Sequence, residues 1–205
     1  MKTGIRISLP ADEKTIRSLK AGDAVSISGL VITGRDKFHK WFSEGRAIPS
    51  GFENGALYHC GPVVVRDGEG WKVVAAGPTT SVRENPYEPA FIAATGLRIV
   101  IGKGGMDSRT LEAMREHGCI YVQATGGAAA LAASRVKRVC GVDLLEEFGA
   151  AEACWRFDME DFPGVVAMDS HGNSLFDSVA KRSAERLAAL TVRHGESKKQ
   201  RARQI

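Results

Sequence analysis

Trp71-Lys72-Val73-Val74-Ala75-Ala76, followed by Gly77-Pro78-Thr79-Thr80-Ser81-Val82-Arg83-Glu84-Asn85-Pro86-Tyr87, reads as a strand, a rigid turn and the approach to a helix. Five of the first six residues are apolar, with β-branched content, as strands are. The turn then sets three hydroxyls and one guanidinium between Pro78 and Pro86. Glycine and proline restrict the backbone there, so ordering the side chains costs little further entropy. Hydroxyls and backbone N–H groups donate hydrogen bonds, and a guanidinium grips a carboxylate or phosphate with two parallel bonds. Read alone, the stretch is either a small-anion site or a polar loop that happens to hold an arginine.

Downstream, Ile99-Val100-Ile101 reads as a short buried strand running into Gly102-Lys103-Gly104-Gly105-Met106. Asp107 or Ser108 then N-caps a helix to about Glu116. A lysine among glycines at a strand end, facing a helix N-terminus, suits an anion. It is not a P-loop, because five residues separate Gly96 from Gly102 and Gly104 follows Lys103 where serine or threonine is needed. The plain alternative is a strand–turn–helix junction with a solvated lysine. Upstream, the alternating segment Val25 to Ile32 leads through Thr33-Gly34-Arg35-Asp36-Lys37-Phe38-His39-Lys40 into another helix. Arg35-Asp36 alone is a surface ion pair of little energetic weight. Together, three strand ends deliver Arg35, Arg83 and Lys103, and open α/β sheets bind ligands outside the carboxyl ends of their strands. Three cations suit a dicarboxylate better than a neutral substrate.

The remaining pattern is strand-rich first and mixed later. Residues 24–32, 57–65 and 71–77 read as strands, with turns at Glu53-Asn54-Gly55 and Asp67-Gly68-Glu69-Gly70, the latter closing a hairpin. Helices are expected over 87–95, 107–117 and 126–134, and strands over 97–102, 119–124, 136–142, 154–159 and 164–169. Gly126-Gly127-Ala128-Ala129-Ala130 either bares N–H groups to an anion or lets a helix pack closely on the sheet, and close packing is the preferred reading. Asp169-Ser170-His171-Gly172-Asn173 is a turn with Asx-type bonding that leaves His171 in solvent.

These stretches, in this order, closely resemble the β subunit of class I, iron–sulfur-dependent fumarate hydratase, a family that includes the L-tartrate dehydratase β subunit. The matching residues are Ala21-Gly22-Asp23, Thr33-Gly34-Arg35-Asp36 with His39-Lys40, Tyr58-His59-Cys60-Gly61-Pro62, Gly77-Pro78-Thr79-Thr80-Ser81 with Arg83 and Asn85-Pro86-Tyr87, and Gly102-Lys103-Gly104-Gly105-Met106. Gly126-Gly127-Ala128-Ala129-Ala130-Leu131, Glu160-Asp161-Phe162-Pro163 and Asp169-Ser170-His171-Gly172-Asn173 complete the match, which covers roughly residues 5–180.

The resemblance implies a single α/β domain, the swivelling β/β/α domain, with a mixed sheet and flanking helices. It implies a hydro-lyase half-site that converts fumarate to L-malate, or in the same class dehydrates tartrate to oxaloacetate. An α subunit would complete the site and ligate a [4Fe–4S] cluster that this chain does not hold, in a heterodimer or heterotetramer. By position, Arg35, Arg83 and Lys103 would bind the carboxylates of a small dicarboxylate substrate. Thr79 would sit near the reacting carbon as the candidate base, which requires neighbouring cations to lower its pKa. Thr80, Ser81, Asp36 and His59 are secondary candidates. The chain departs from the family pattern at Val82, where glycine is usual, and at Glu84, where methionine is usual. A β-branched residue takes φ > 0 with difficulty, so an altered turn is expected, with Glu84 adding negative charge beside the site. The resemblance leaves a non-catalytic anion-binding module as the different-class alternative.

Composition agrees with an ordinary globular domain: 205 residues, 43% hydrophobic and 25% charged. No apolar run reaches the length of a membrane span, and Met1 to Leu9 lacks a signal-peptide core, so a cytoplasmic protein with no membrane partner is expected. The four cysteines, Cys60, Cys119, Cys140 and Cys154, show no Cys-x-x-Cys spacing and suggest no metal site. Cys119 and Cys140 read as core. Cys60, between His59 and Gly61-Pro62, reads as an inward-packed strand residue before a reactive thiol. The net charge is +4, and much of it comes from the basic end after Lys181. Residues 1–194 are expected to form the domain and 195–205 a disordered tail. The tail lacks interleaved aromatics, so nucleic acid is not an expected partner.

Overall fold

The computed structural model describes the backbone of residues 4–202 and the side chains among them, other than those of 189 and 192–202. In chain order the elements are β1 (Ile5–Ser8), α1 (Glu13–Arg17), β2 (Ala24–Thr33), α2 (Asp36–Ser43), β3 (Ala56–Tyr58), β4 (Val63–Asp67), β5 (Gly70–Ala75), α3 (Glu88–Thr95), β6 (Ile99–Gly102), α4 (Ser108–His117), β7 (Ile120–Gln123), α5 (Ala129–Ala133), β8 (Val136–Asp143), α6 (Leu145–Phe148), β9 (Cys154–Met168) and α7 (Leu175–Ala202). A 3-10 turn, Ser81–Glu84, stands between β5 and α3.

Seven strands form a mixed sheet in the order β1-β2-β3-β6-β7-β9-β8. Strands β1, β2, β3, β6 and β7 pair in parallel. Strand β9 runs antiparallel to β7 and also to β2, so the sheet curls until its two halves meet. The hairpin β4–β5 lies apart as a two-stranded sheet. Strands β3, β6 and β7 are apolar on both faces, because both faces are covered. Ile32, Leu57, Val100 and Tyr121 pack with Phe38, Phe91, Ile92 and Met114 of the helices. Their neighbours Val31, Tyr58, Ile101 and Val122 join Trp155, Phe157 and Phe162 on the other face. Helix α4 starts as expected, with the Asp107 carboxylate accepting from the Thr110 N–H at 3.0 Å, and it ends at Gly118 in the left-handed region.

The single α/β domain with a mixed sheet and flanking helices agrees with the swivelling fold. Several details differ. Residues 57–65 are two strands, broken at Cys60-Gly61-Pro62, where Pro62 has no N–H to give a ladder. Residues 154–159 and 164–169 belong to one strand of 15 residues, bent where Asp161 takes φ 50. Its length lets β9 reach β8, β2 and β7 in turn. The helix expected over 126–134 shrinks to Ala129–Ala133, since Gly127 sits at φ 78. Cys140 lies in β8 but is exposed, contrary to the core reading. Helix α7 is one element from Leu175 to Ala202. Among the described residues no helix is long and apolar enough to cross a membrane.

Candidate active site

The carboxyl ends of β2, β3 and β6 lie side by side, and the Gly77–Ser81 turn is laced onto them by backbone hydrogen bonds. The Thr79 N–H donates to the His59 carbonyl at 2.6 Å, and the Thr79 carbonyl accepts from the Lys103 N–H at 3.2 Å. The Ser81 N–H returns to the Lys103 carbonyl at 2.9 Å. Thr80 thus pairs in parallel with Lys103, and Cys60 pairs antiparallel with Pro78. The turn behaves as a short extra strand wedged between β3 and β6. Thr79 and Thr80 are half-buried on a backbone held from both sides.

Asp36, in the first turn of α2, draws two of the cations together. Arg83 donates to it through Nε at 2.8 Å and Nη2 at 2.9 Å, and Arg35 Nε lies 3.4 Å away. The hydrogen bonds from Arg83 hold the Asp36 carboxyl below the usual carboxylate range. Arg35 Nε also meets Glu152 at 2.9 Å. Lys103 is half-buried, and its ammonium makes no ion pair among the described residues. The Gly126-Gly127 turn borders the Lys103 stem, 3.7 Å from where a Cβ on Gly126 would stand. Arg35 and Arg83 therefore meet on Asp36, Thr79, Thr80 and Lys103 meet through the backbone, and the 3-10 turn joins the two groups.

Beneath this edge lies a fully buried polar chain. His39 Nδ1 faces the Arg35 carbonyl at 3.0 Å, and its Nε2 faces Glu88 Oε2 at 2.8 Å. Both partners only accept, so both ring nitrogens carry protons. Burial opposes the imidazolium, but the Glu88 carboxylate outweighs it and the His39 pKa rises. His59 Nε2 donates to the same Glu88 oxygen at 3.2 Å. Its Nδ1 then accepts from Ser81 Oγ at 2.8 Å, and Ser81 accepts from the Tyr121 hydroxyl at 2.9 Å. Burial lowers the pKa of His59, which keeps it neutral for this role. Burial alone would raise Glu88, yet the two histidines pull it down to about 2. Ser81 and His59 thus work under the turn, away from solvent. Gly102 has to be glycine, because a Cβ there would run into Ser81 Oγ and the Tyr121 hydroxyl.

Both departures in the turn are accommodated without a positive φ. Val82 is exposed and takes no positive φ, so the turn is a plain 3-10 turn and valine fits it. Glu84 points inward at 1% exposure, so its carboxyl lies beneath the turn, close enough to act electrostatically on Arg83. Cys60 is buried, and burial pushes its thiol well up, as befits packing and not reactivity. His171 is exposed in its Asx turn, with Asp169 accepting from the His171 and Asn173 N–H groups at 3.0 Å.

Residues 1–179 match the fumarase C-terminus family. The chain belongs to that family. The fumarase-family chain is 49% identical over 185 residues to a putative fumarate hydratase class I of Geobacillus stearothermophilus, an alignment covering 90% of this chain and 36% of the relative. It therefore spans about a third of that relative's length. It is 39% identical to a putative L(+)-tartrate dehydratase subunit beta of Methanocaldococcus jannaschii, over 87% of this chain and 94% of that one. It is 35% identical to the L(+)-tartrate dehydratase subunit beta of Escherichia coli, over 88% and 90%.

Sequence reasoning about this family member missed Glu88, Tyr121 and Glu152. Glu88 opens α3, where an acid is favoured by the helix dipole anyway. Tyr121 sits in the apolar run Ile120-Tyr121-Val122 and reads as core. Glu152 lies in the loop before β9, and nothing in its neighbourhood marks it as the partner of Arg35. An iron–sulfur cluster does not fit this chain's donors, because among the described residues no three cysteines gather.

Proposed function

We propose that this chain is the β-type half of a hydro-lyase that hydrates fumarate reversibly to L-malate. Membership of the family supports hydro-lyase activity and implies a complex that depends on an iron–sulfur cluster. In this reading the cluster belongs to an α subunit, and the active site is shared between the two chains in a cytoplasmic heterodimer or heterotetramer. The observation that carries the reading is the edge where Arg35 and Arg83 converge on Asp36 beside Thr79, Thr80 and Lys103.

Arg35, Arg83 and Lys103 bind the two carboxylates of the substrate. With Nε and one Nη2 hydrogen committed to Asp36, Arg83 keeps Nη1 for a carboxylate oxygen. Hydration adds hydroxide to one alkene carbon and a proton to the other, and dehydration reverses both. Thr79 moves that proton. Its backbone N–H and carbonyl are both committed, so the turn fixes where its side chain starts. The cations around the turn lower its otherwise high pKa.

Tartrate dehydration to oxaloacetate is the second reading. It is favoured by the two tartrate dehydratase β subunits whose length this chain nearly spans. The chemistry is the same, and both substrates are four-carbon dicarboxylates. Anaerobic purification with the co-eluting partner, followed by malate and tartrate dehydration assays beside the chain alone, tests both. Turnover in the complex alone is expected, with malate preferred. Preference for tartrate changes the substrate, and no partner with no turnover leaves an anion-binding module.

A further inference from the structure

Glu84 follows Arg83 in the 3-10 turn but faces the opposite way. Its side chain is buried, and neither carboxyl oxygen has a hydrogen-bond partner. His39 Nδ1 lies 3.4 Å from Glu84 Oε2, but that N–H is already on the Arg35 carbonyl at 3.0 Å. Glu88 Oε1, on α3, is another buried carboxylate oxygen without a partner. An ionised carboxylate in such a place goes unsolvated, and a protonated one avoids that cost.

We propose that Glu84 holds a proton beneath the arginine pair and thereby sets how tightly Arg35 and Arg83 grip an anionic substrate. This rests on the carboxylate-binding role proposed above. The groups facing Glu84 are His39 and Asp36 on α2, Glu88 on α3 and Arg83 on its own turn. With Glu84 protonated, the buried His39–Glu88 pair is neutral overall, and the arginines face two carboxylates, Asp36 and Glu152. Loss of the proton adds a negative charge under Arg83 and offers His39 Nδ1 a second acceptor in competition with the Arg35 carbonyl. Both changes weaken anion binding. Burial first, then the neighbouring Asp36 and Glu88, push Glu84 up to about 7, so the change falls in the physiological range. Glu84 is a positioning residue that acts through the arginines, so the effect falls on KM before kcat.

The test is binding of succinate, a non-reacting four-carbon dicarboxylate, to the complex of this chain with its co-purified partner between pH 6 and pH 8.5. Wild type is expected to weaken by about three- to tenfold as pH rises, the scale of one added charge at partly buried distance. Glu84→Gln is expected to show only the change that succinate's own ionisation imposes, and so supplies the baseline. Glu84→Met serves if the amide fails to fold. Parallel profiles for wild type and variant would overturn the inference and leave the carboxylate site standing. Absence of succinate binding at every pH would overturn the carboxylate site and this inference with it. As an independent readout, the carboxyl carbon resonance of Glu84 in the full chain, assigned by its loss in Glu84→Gln, is expected to titrate near 7. Titration below about 5, the ordinary range for glutamate, would also overturn it.

Discussion

Arg83 clasps Asp36 with two parallel hydrogen bonds, Nε to Oδ1 at 2.8 Å and Nη2 to Oδ2 at 2.9 Å. The pair ties the 3-10 turn to the start of α2 and brings Arg83 to the carboxylate that Arg35 also approaches. Both side chains are about two-fifths exposed, at 42% and 41%, so the clasp contributes little stability and serves mainly to aim the guanidinium.

Asp36→Asn is therefore expected to change unfolding free energy by less than about 1 kcal/mol. Arg83 is then free to swing, and KM for the dicarboxylate is expected to rise about tenfold. Arg83→Ala is expected to abolish turnover in the assembled complex without unfolding the chain. Denaturation midpoints beside steady-state kinetics check both, and near-normal turnover of the alanine variant would remove Arg83 from substrate binding.

Thr79→Val keeps the shape and loses the hydroxyl. A drop in kcat of about a hundredfold or more is expected if that hydroxyl moves the proton. Succinate binding should persist, because the cations are untouched. A rate within a few-fold of wild type would exclude Thr79 as the proton-transfer group.

Glu84 and Glu88 make opposite contributions to the pH dependence of stability. Glu84 is raised from 4.5 to about 7, so the folded state binds its proton more tightly, and stability falls as pH climbs from 4.5 to 7. Glu84→Gln should thus be more stable than wild type above pH 7 by on the order of 3 kcal/mol, and the difference should vanish below pH 4.5. Glu88 is lowered from 4.5 to about 2, so its contribution is present above pH 4.5 and is lost as pH falls toward 2. Urea unfolding of wild type and both Glu→Gln variants across this range separates the two.

Gly102→Ala puts a methyl group against Ser81 Oγ and the Tyr121 hydroxyl. Overpacking at such a site costs about 1–3 kcal/mol. The displaced Ser81 loses His59, and the turn carrying Thr79 shifts with it. Reduced denaturant midpoint together with reduced turnover is expected, whereas Gly104→Ala, with only a 3.6 Å contact to Thr80 but φ +84, should show backbone strain and leave the buried chain intact.

Much of the fold was legible because its signals are local. Glycines at strand ends, the Asp107 cap and the Asp67–Gly70 hairpin turn punctuate the chain, and the neighbouring elements appear where these residues place them. Misreadings arose where distant strands intervene. Strand β9 runs unbroken through Asp161 because β2 pairs along both of its halves, and no local pattern reports that neighbour. Arg35 and Lys103 were legible as strand-end residues of the sheet; Arg83 instead stands in the 3-10 turn beyond β5, which belongs to the separate hairpin. The partner Glu152 was not legible, since the Arg35–Glu152 pair is closed by the loop before β9.

By itself, the sequence determined the family, the class of fold and the edge where Arg35, Thr79, Arg83 and Lys103 emerge, because period, glycine and proline act over a few residues. Only the tertiary structure decided that Glu84 turns inward and that His39, Glu88, His59, Ser81 and Tyr121 form one buried chain. His39 and Glu88 stand 49 residues apart, and Ser81 and Tyr121 stand 40 apart. Such pairs exist only because packed strands and helices carry them into a space without water, where each polar group must find a partner or pay the cost of desolvation.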